Sequence, residues 1–84
     1  MKLLKFKAEW CRPCHQQSTM LEGFKAAEVI EVDIEDNDEL TERYRVRNIP
    51  TMILCDDEGN ELHRFVGLTT PEKIEEVCEN FVNA

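Results

Sequence analysis

The sequence predicts an α/β fold in which a four-stranded mixed sheet carries helices on both faces, in the order βαβαββα. Segments of alternating apolar and polar residues are separated by segments with helical spacing, which predicts a parallel βαβ unit in the first half. A polar turn between the last two strands predicts an antiparallel hairpin. The 84 residues can close one hydrophobic core, so we predict a single domain over residues 1–84.

The first half of the chain predicts strand, helix, strand and helix. Residues 3–8 alternate between two faces, as in a strand. Residues 13 to about 25 contain good helix formers, and Pro13 suits a first helical turn. Residues 29–34 alternate again, and residues 38–44 bring their apolar side chains onto one helical face.

The second half predicts a hairpin followed by a helix. Thr51–Cys55 and Glu61–Val66 are short strands joined by a turn that contains glycine. Thr69 or Thr70 caps the last helix, with Pro71 in its first turn. The apolar stripe of this helix consists of Ile74, Val77, Cys78, Phe81 and Val82.

The charge of the chain excludes several classes of partner. A formal net charge of −8 argues against binding to nucleic acid, which calls for clustered Lys and Arg, and against anionic membrane surfaces. Residues 28–42 contain eight carboxylates and no base. We interpret this run as a solvated helix and loop, and the alternative is a surface that steers a partner.

Apolar runs in this chain are shorter than the about 20 residues that cross a bilayer, and the start has no signal-peptide core. We therefore expect a cytoplasmic protein. In a reducing compartment the four cysteines are not expected to form a disulfide scaffold. The Cys-x-x-Cys pair instead predicts redox or metal chemistry.

This pair, Cys11 and Cys14, lies where the first predicted strand leads into the first helix. Unpaired N–H groups and the helix dipole at such a position stabilise an anion, which lowers the pKa of a thiol. Cys11 is therefore the predicted nucleophile. Cys14, one turn into the helix, is expected to be more buried and to attack the mixed disulfide, which makes it the resolving thiol.

Half of a zinc site is the alternative for a Cys-x-x-Cys pair. Such sites need a second pair of Cys or His ligands at short spacing, whereas the other candidates, Cys55, Cys78, His15 and His63, are isolated. We therefore favour redox chemistry and predict no metal. Cys55 and Cys78 are predicted to be buried free thiols, and a second, regulatory disulfide is the alternative.

Further motifs follow in a fixed order along nearly the whole chain. They are Ala8-Glu9-Trp10-Cys11-x-Pro13-Cys14, Val32-Asp33-Ile34, Tyr44-x-Val46-Arg47-x-Ile49-Pro50-Thr51, Gly59 and Val66-Gly67. In identity and order they resemble the thioredoxin family, and the coincidence of the cysteine motif with a remote Ile-Pro-Thr makes the resemblance specific. It implies a thioredoxin-like fold. Common thioredoxins begin with an extra strand and helix, whereas this sequence starts at the strand that leads into the cysteines.

The resemblance implies a thiol–disulfide oxidoreductase that reduces protein disulfides and is regenerated by a reductase such as thioredoxin reductase. No cofactor is implied, and we expect a monomer. Pro50 is implied to be cis and to lie beside the cysteines, where the backbone of Ile49 pairs with an extended substrate. Trp10, Arg12, Pro13 and Gly67 complete the implied substrate-binding residues, and core packing is the alternative for Trp10.

Three positions depart from the common thioredoxin pattern. Lys5 stands where the family has a buried aspartate, and Glu31 stands where it has a lysine. We hypothesise that Glu31, directly or through water, takes the proton from Cys14, whereas a solvent-exposed Lys5–Glu31 pair of little energetic weight is the alternative. We expect the sheet face that bears Lys5 to be less covered than usual. Arg12 replaces a glycine and is expected to favour the Cys11 thiolate, which makes the protein a stronger oxidant.

Two other functions remain as alternatives. The short length favours a glutaredoxin-like, glutathione-dependent enzyme, but the usual Tyr or Phe inside the cysteine motif is missing. The usual Gly-Gly segment is also replaced by Val66-Gly67-Leu68-Thr69. A non-catalytic module on the same fold would more naturally have lost a cysteine or Pro50, and this sequence has kept them all.

Overall fold

The computed structural model describes residues 1–82, so the last two positions of the predicted domain lie outside the described residues. The order of elements is the predicted βαβαββα. The strands are β1 (Lys2–Lys7), β2 (Glu28–Asp33), β3 (Thr51–Cys55) and β4 (Glu61–Val66), and the helices are α1 (Arg12–Met20), α2 (Asp38–Arg43) and α3 (Pro71–Val82).

The strands form one four-stranded sheet in the order β2-β1-β3-β4. β1 pairs with β2 in parallel and with β3 antiparallel, and β3 and β4 form the antiparallel hairpin. The mixed sheet is therefore confirmed. Because β1 and β3 are interior strands, their side chains alternate between two covered faces rather than between protein and water.

Each sheet face has its own hydrophobic cluster. On one face, Leu3 and Met52 pack with Ile74 of α3 and with Leu21, which follows α1. On the other face, Phe6 and Ile53 pack with residues of the α2 region, including Tyr44 and Leu40. The prediction of helices on both faces is thus confirmed, with α1 and α3 on one side of the sheet and α2 on the other.

The prediction of a less covered face around Lys5 was wrong. Lys5 is 1% exposed, and its ammonium donates a hydrogen bond to the hydroxyl of Ser18 on α1. Leu3, which shares that face, is also fully buried. The helix that begins at the cysteines covers this face, so a charged side chain lies inside the protein and not in water.

α1 ends at Met20, earlier than the predicted end near residue 25. The amide of Leu21 bonds back to the carbonyls of Gln17 and Ser18, which tightens the last turn. Gly23 then adopts φ +80°, a left-handed conformation that glycine accepts without steric cost. The good helix formers after Met20 therefore lie in a turn, because a glycine at this position lets the chain reverse.

α3 begins at Pro71, as predicted, and Thr70 is its cap because the hydroxyl of Thr70 accepts a hydrogen bond from the amide of Lys73 at 3.3 Å. Ile74 is fully buried in the core. Phe81 and Val82, in contrast, are 39% and 68% exposed. The apolar stripe therefore packs on the sheet only in its first part.

Candidate active site

The two cysteines of the motif lie at the start of α1. Cys11 is the N-cap of the helix, and its sulfur accepts a hydrogen bond from the backbone amide of Cys14 at 3.2 Å. Pro13 lies in the first turn, where no amide hydrogen is needed. Cys11 and Cys14 form a disulfide with Cα atoms 5.2 Å apart, so the structure is that of the oxidised form. Cys11 is 5% exposed and Cys14 is 1% exposed.

A second segment closes over the cysteines from the loop before β3. The Ile49–Pro50 peptide bond is cis, and the Ile49 side chain packs against the small cluster that contains both cysteines. The carbonyl of Pro50 accepts a hydrogen bond from the amide of Gly67 at 2.9 Å. Gly67 has φ +84°, which favours glycine. The fold thus brings together residues that are far apart in the sequence.

The remaining predicted site residues surround this centre on the surface. Trp10 is 68% exposed, so the core-packing alternative for it was wrong. Arg12 and Pro13 are also exposed. The imidazole Nε2 of exposed His15 donates to the carbonyl of Glu9 at 2.7 Å, which holds the turn that carries Trp10. Trp10 and Pro13 thus expose apolar surface next to the disulfide in the chain, and the cationic Arg12 lies directly after Cys11.

Lys5 and Glu31 form the predicted pair, with Lys5 Nζ 2.9 Å from Glu31 Oε1. The pair is not solvent-exposed as the alternative held, because the side chain of Lys5 is only 2% exposed, although that of Glu31 is 54% exposed. The hydrogen bond from Lys5 lowers the pKa of Glu31 below its ordinary value. The carboxylate is therefore held in its charged form.

This charged pair is linked to the cysteines through a residue that the sequence interpretation missed. The hydroxyl of Ser18 accepts from Lys5 and donates to the carbonyl of Cys14 at 3.2 Å. Within residues 1–82, the ammonium of Lys5 donates hydrogen bonds to Ser18 and Glu31 and not to the sulfur of Cys14. The connection observed is therefore to the backbone carbonyl of Cys14.

Gln17 is the other residue that sequence reasoning missed. Its side chain is fully buried, and its amide group makes two hydrogen bonds with the backbone of Thr69, in the segment between β4 and α3. A signal was present, because Cys14, Gln17 and Leu21 recur at the spacing of one helical face. A polar residue in such an inward row requires buried partners.

Cys55 and Cys78 are buried free thiols, as predicted. Burial raises the pKa of both thiols, which disfavours the reactive thiolate. Cys55 belongs to the cluster on the α2 face and Cys78 to the cluster on the α3 face, so the sheet lies between them. A second disulfide between them is therefore incompatible with this fold.

No group of three or more His, Cys, Asp and Glu side chains within residues 1–82 is arranged to hold a metal ion. In the same part of the chain, no helix has the length and apolar character that crossing a membrane requires. The reactive group of the site is the Cys11–Cys14 disulfide. A disulfide at a helix start beside a cis proline defines a thiol–disulfide oxidoreductase.

Comparison with known proteins identifies the family. The thioredoxin family model matches residues 1–80. The thioredoxin of Chlamydia pneumoniae is 39% identical over 85 residues, which cover 96% of this chain and 78% of that protein. The thioredoxin of Staphylococcus aureus strain Mu50 is 31% identical over 84 residues, which cover 94% of this chain and 80% of that protein. The chain belongs to the thioredoxin family.

The fold gives the same result. The solved structure of a mutant thioredoxin from Halobacterium salinarum NRC-1 superposes with a TM-score of 0.85 and 30% sequence identity. The match covers 95% of this chain and 73% of that one. Family, fold and the Cys11–Cys14 pair together make this chain a protein-disulfide oxidoreductase, and the glutaredoxin-like alternative is not favoured.

Proposed function

We propose that Cys11 is the attacking thiol and Cys14 the resolving thiol in the reduction of disulfides in protein substrates. The observation that carries this assignment is the position of the Cys11 sulfur at the helix N-terminus, where it accepts the amide of Cys14. In the reduced protein the same donor and the helix dipole stabilise a thiolate on Cys11. Cys14 lies deeper, which suits a thiol that reacts only within the complex.

The proposed cycle transfers two electrons by two exchange steps. The Cys11 thiolate attacks one sulfur of a substrate disulfide, which forms a mixed disulfide and releases the other substrate sulfur as a thiolate. Cys14 loses its proton and attacks the Cys11 sulfur, which forms the Cys11–Cys14 disulfide and releases the second substrate thiolate. The protein dithiol is oxidised, the substrate is reduced, and both substrate thiolates take up protons.

We further propose that the substrate lies on the surface formed around the disulfide. The binding residues are Trp10, Arg12, Pro13, Ile49, Pro50 and Gly67. The Ile49 backbone offers hydrogen bonds to an extended segment, as in strand addition. A Cβ built at Gly67 would meet no protein atom within 4 Å, so the space beside this glycine is open to a partner.

The proton of Cys14 is proposed to leave through the Lys5–Glu31 pair. Glu31 is half exposed and bonded to Lys5, which in turn bonds to Ser18. Because the Lys5 hydrogen bond lowers the pKa of Glu31, this carboxylate is a weak base and passes a proton on to water rather than keeping it. Because the contacts of Ser18 lead to the Cys14 carbonyl and not to its sulfur, the proposed path from the thiol to Glu31 runs through water.

The partners proposed for this chain are disulfide-containing proteins and a reductase such as thioredoxin reductase. We also propose that it acts as a monomer in the cytoplasm, without a cofactor, and that residues 1–84 are one domain. The family supports the reductase, since thioredoxin relatives cover most of the chain. The net charge of −8 supports a protein partner rather than nucleic acid.

Trapping with Cys14→Ser tests the cysteine roles. This variant is expected to hold protein substrates as mixed disulfides on Cys11, and the matched Cys11→Ser variant is expected to hold none. In parallel, oxidised wild-type protein is incubated with thioredoxin reductase and NADPH, or with glutathione. Reduction by the reductase is expected. Trapping by Cys11→Ser alone would exchange the two roles, and reduction by glutathione alone would favour the glutaredoxin-like alternative.

A further inference from the structure

Three short segments make up the proposed substrate surface, and each comes from a different part of the fold. They are the turn that carries Trp10, the loop with Ile49 and Pro50, and the loop with Gly67 and Leu68. Leu68 is 45% exposed and Trp10 is 68% exposed, so the turn with Trp10 and the loop with Leu68 place apolar side chains on the surface. Binding of an extended protein substrate requires these segments to keep a fixed separation.

One hydrogen bond ties two of the segments together. The amide of Gly67 donates to the carbonyl of Pro50 at 2.9 Å. The loop with Gly67 and Leu68 is also held by Gln17, which lies three residues after Cys14 on α1. Gln17 Nε2 donates to the carbonyl of Thr69 at 3.0 Å, and Gln17 Oε1 accepts from the amide of Thr69 at 2.9 Å. The Gln17 side chain thus bonds both the amide and the carbonyl of Thr69, as the backbone of a neighbouring β-strand would.

The burial of Gln17 indicates that stability alone does not explain why a glutamine occupies this position. Its side chain is 0% exposed, and an apolar side chain would fill such a position without the cost of removing an amide from water. Both the amide and the carbonyl of Thr69 are paired with this one side chain. A buried polar group that is fully paired fixes one geometry, whereas apolar packing tolerates several.

We propose that Gln17 is a positioning residue that sets the distance between the cysteine-bearing helix and the substrate-binding loop at Gly67 and Leu68. This inference rests on the proposed role of that surface in binding protein substrates. A protein disulfide contacts the loop while it reacts with Cys11. A small disulfide contacts only the sulfur and its immediate neighbours, so its reaction does not depend on the position of the loop.

The test compares Gln17→Leu with wild type in the reaction of the reduced protein with two disulfides. The interchain disulfides of insulin are the protein probe, and bis(2-hydroxyethyl) disulfide is the small probe. Gln17→Leu is expected to lower kcat/KM for the reduction of insulin about tenfold, mainly by raising KM. The same constant for the small disulfide is expected to stay within about twofold of wild type. The ratio of the two rate constants is therefore the readout.

Val77→Ala is the control, because Val77 is a buried core residue of α3 and lies in the same cluster as Leu21. It lowers stability without removing a hydrogen bond to the loop, so the ratio is expected to stay that of wild type. Gln17→Met keeps an unbranched side chain of similar length but loses both hydrogen bonds to Thr69. Its ratio is expected to fall as in Gln17→Leu, and it serves as the test variant if Gln17→Leu does not fold.

Hydrogen exchange of the Thr69 amide gives a readout that is independent of activity. This amide is expected to exchange slowly in wild type and at least about tenfold faster in Gln17→Leu, because its acceptor is gone. An unchanged rate-constant ratio in Gln17→Leu, or the same fall in Val77→Ala, would overturn the inference. Wild-type protein that reduces neither probe would instead overturn the proposed function.

Discussion

Arg12 occupies the position directly after Cys11, the proposed attacking thiol, and is exposed. A fixed positive charge beside a thiol favours the thiolate and so stabilises the reduced protein relative to the oxidised one. It also presents a cation to whatever part of the substrate lies next to the scissile disulfide. The charge of this residue is therefore expected to affect both reactivity and redox poise.

Arg12→Gly is expected to slow the alkylation of Cys11 by iodoacetamide about threefold at pH 6, because a smaller fraction of the thiol is ionised. The measurement is the pH profile of alkylation of the reduced protein, in which buried Cys55 and Cys78 react slowly. Arg12→Lys keeps the charge and serves as the control. An Arg12→Gly profile equal to that of wild type would contradict this role of the arginine.

The proposed role of the Lys5–Glu31 pair in proton transfer is tested by changing Glu31 alone. Glu31→Gln removes the carboxylate while Lys5 and Ser18 remain, so the resolution of a mixed disulfide on Cys11 is expected to slow about tenfold near neutral pH. Stopped-flow measurement of release from a preformed mixed disulfide gives this rate directly.

Glu28→Gln is the matched control for Glu31→Gln, because Glu28 begins β2 three residues before Glu31 and both glutamates line one surface cleft. It is expected to resolve the mixed disulfide at the wild-type rate. A Glu31→Gln rate that stays unchanged from pH 6 to pH 8 would rule out Glu31 as the proton acceptor. An equal slowing in Glu28→Gln would assign the effect to net charge.

The cysteine pair and Pro50 could be recognised as site residues from the sequence. The spacing of the two thiols indicates redox chemistry, and a proline directly before a strand indicates a special backbone geometry. The sequence interpretation also paired Lys5 with Glu31, because they stand at matching positions on neighbouring strands. It missed the burial of Lys5, because alternation shows which residues share a face but not which helix covers that face. Ser18 and Gln17 were missed for a related reason, since their partners lie on other elements.

At the scale of elements, the strands and the last helix could be predicted closely, whereas the end of α1 could not. Leu21, Glu22 and Lys25 are good helix formers, but the helix ends at Met20 and the chain turns at Gly23. Gly23 lets the chain reverse, and Leu21 and Phe24 then pack in or against the core cluster from the segment after α1. Local propensity is a weak guide where tertiary contacts offer a better arrangement.

Gly23→Ala is expected to lower the free energy of unfolding by about 1 kcal/mol, because its φ of +80° is a left-handed conformation that costs a residue with a Cβ. Crowding does not contribute, since a Cβ there would meet no atom within 4 Å. Urea unfolding at pH 7 measures the difference. Gly23→Asn is expected to lose less, since asparagine tolerates this conformation, and equal losses would contradict the explanation.

At the scale of the whole molecule, the charge distribution couples stability to pH. The chain carries a net charge of −8, and within residues 1–82 specific contacts lower the pKa values of three carboxylates below their ordinary values. The hydrogen bond from Lys5 lowers the pKa of Glu31, that from Asn60 lowers the pKa of Asp56, and that from Arg64 lowers the pKa of Glu61. The three contacts lie at separate places on the sheet and its hairpin turn.

A group whose pKa is lower in the folded than in the unfolded protein adds stability above its ordinary pKa, and this stability is lost as the pH falls through the folded value. Wild-type protein is therefore expected to lose stability from about pH 5 to about pH 3. The triple variant Glu31→Gln, Asp56→Asn and Glu61→Gln is expected to be less stable than wild type at pH 7 and to lose less on acidification. Urea unfolding at a series of pH values measures the two curves.

A second triple variant separates specific contacts from net charge. Glu35→Gln, Asp36→Asn and Glu39→Gln remove the same number of negative charges from exposed positions of the acidic run. Because general repulsion falls equally in the two triple variants, this control is expected to retain the wild-type loss of stability between about pH 5 and about pH 3. If both triple variants flatten the curve to the same degree, acid sensitivity is set by the total charge and not by the contacts of Glu31, Asp56 and Glu61.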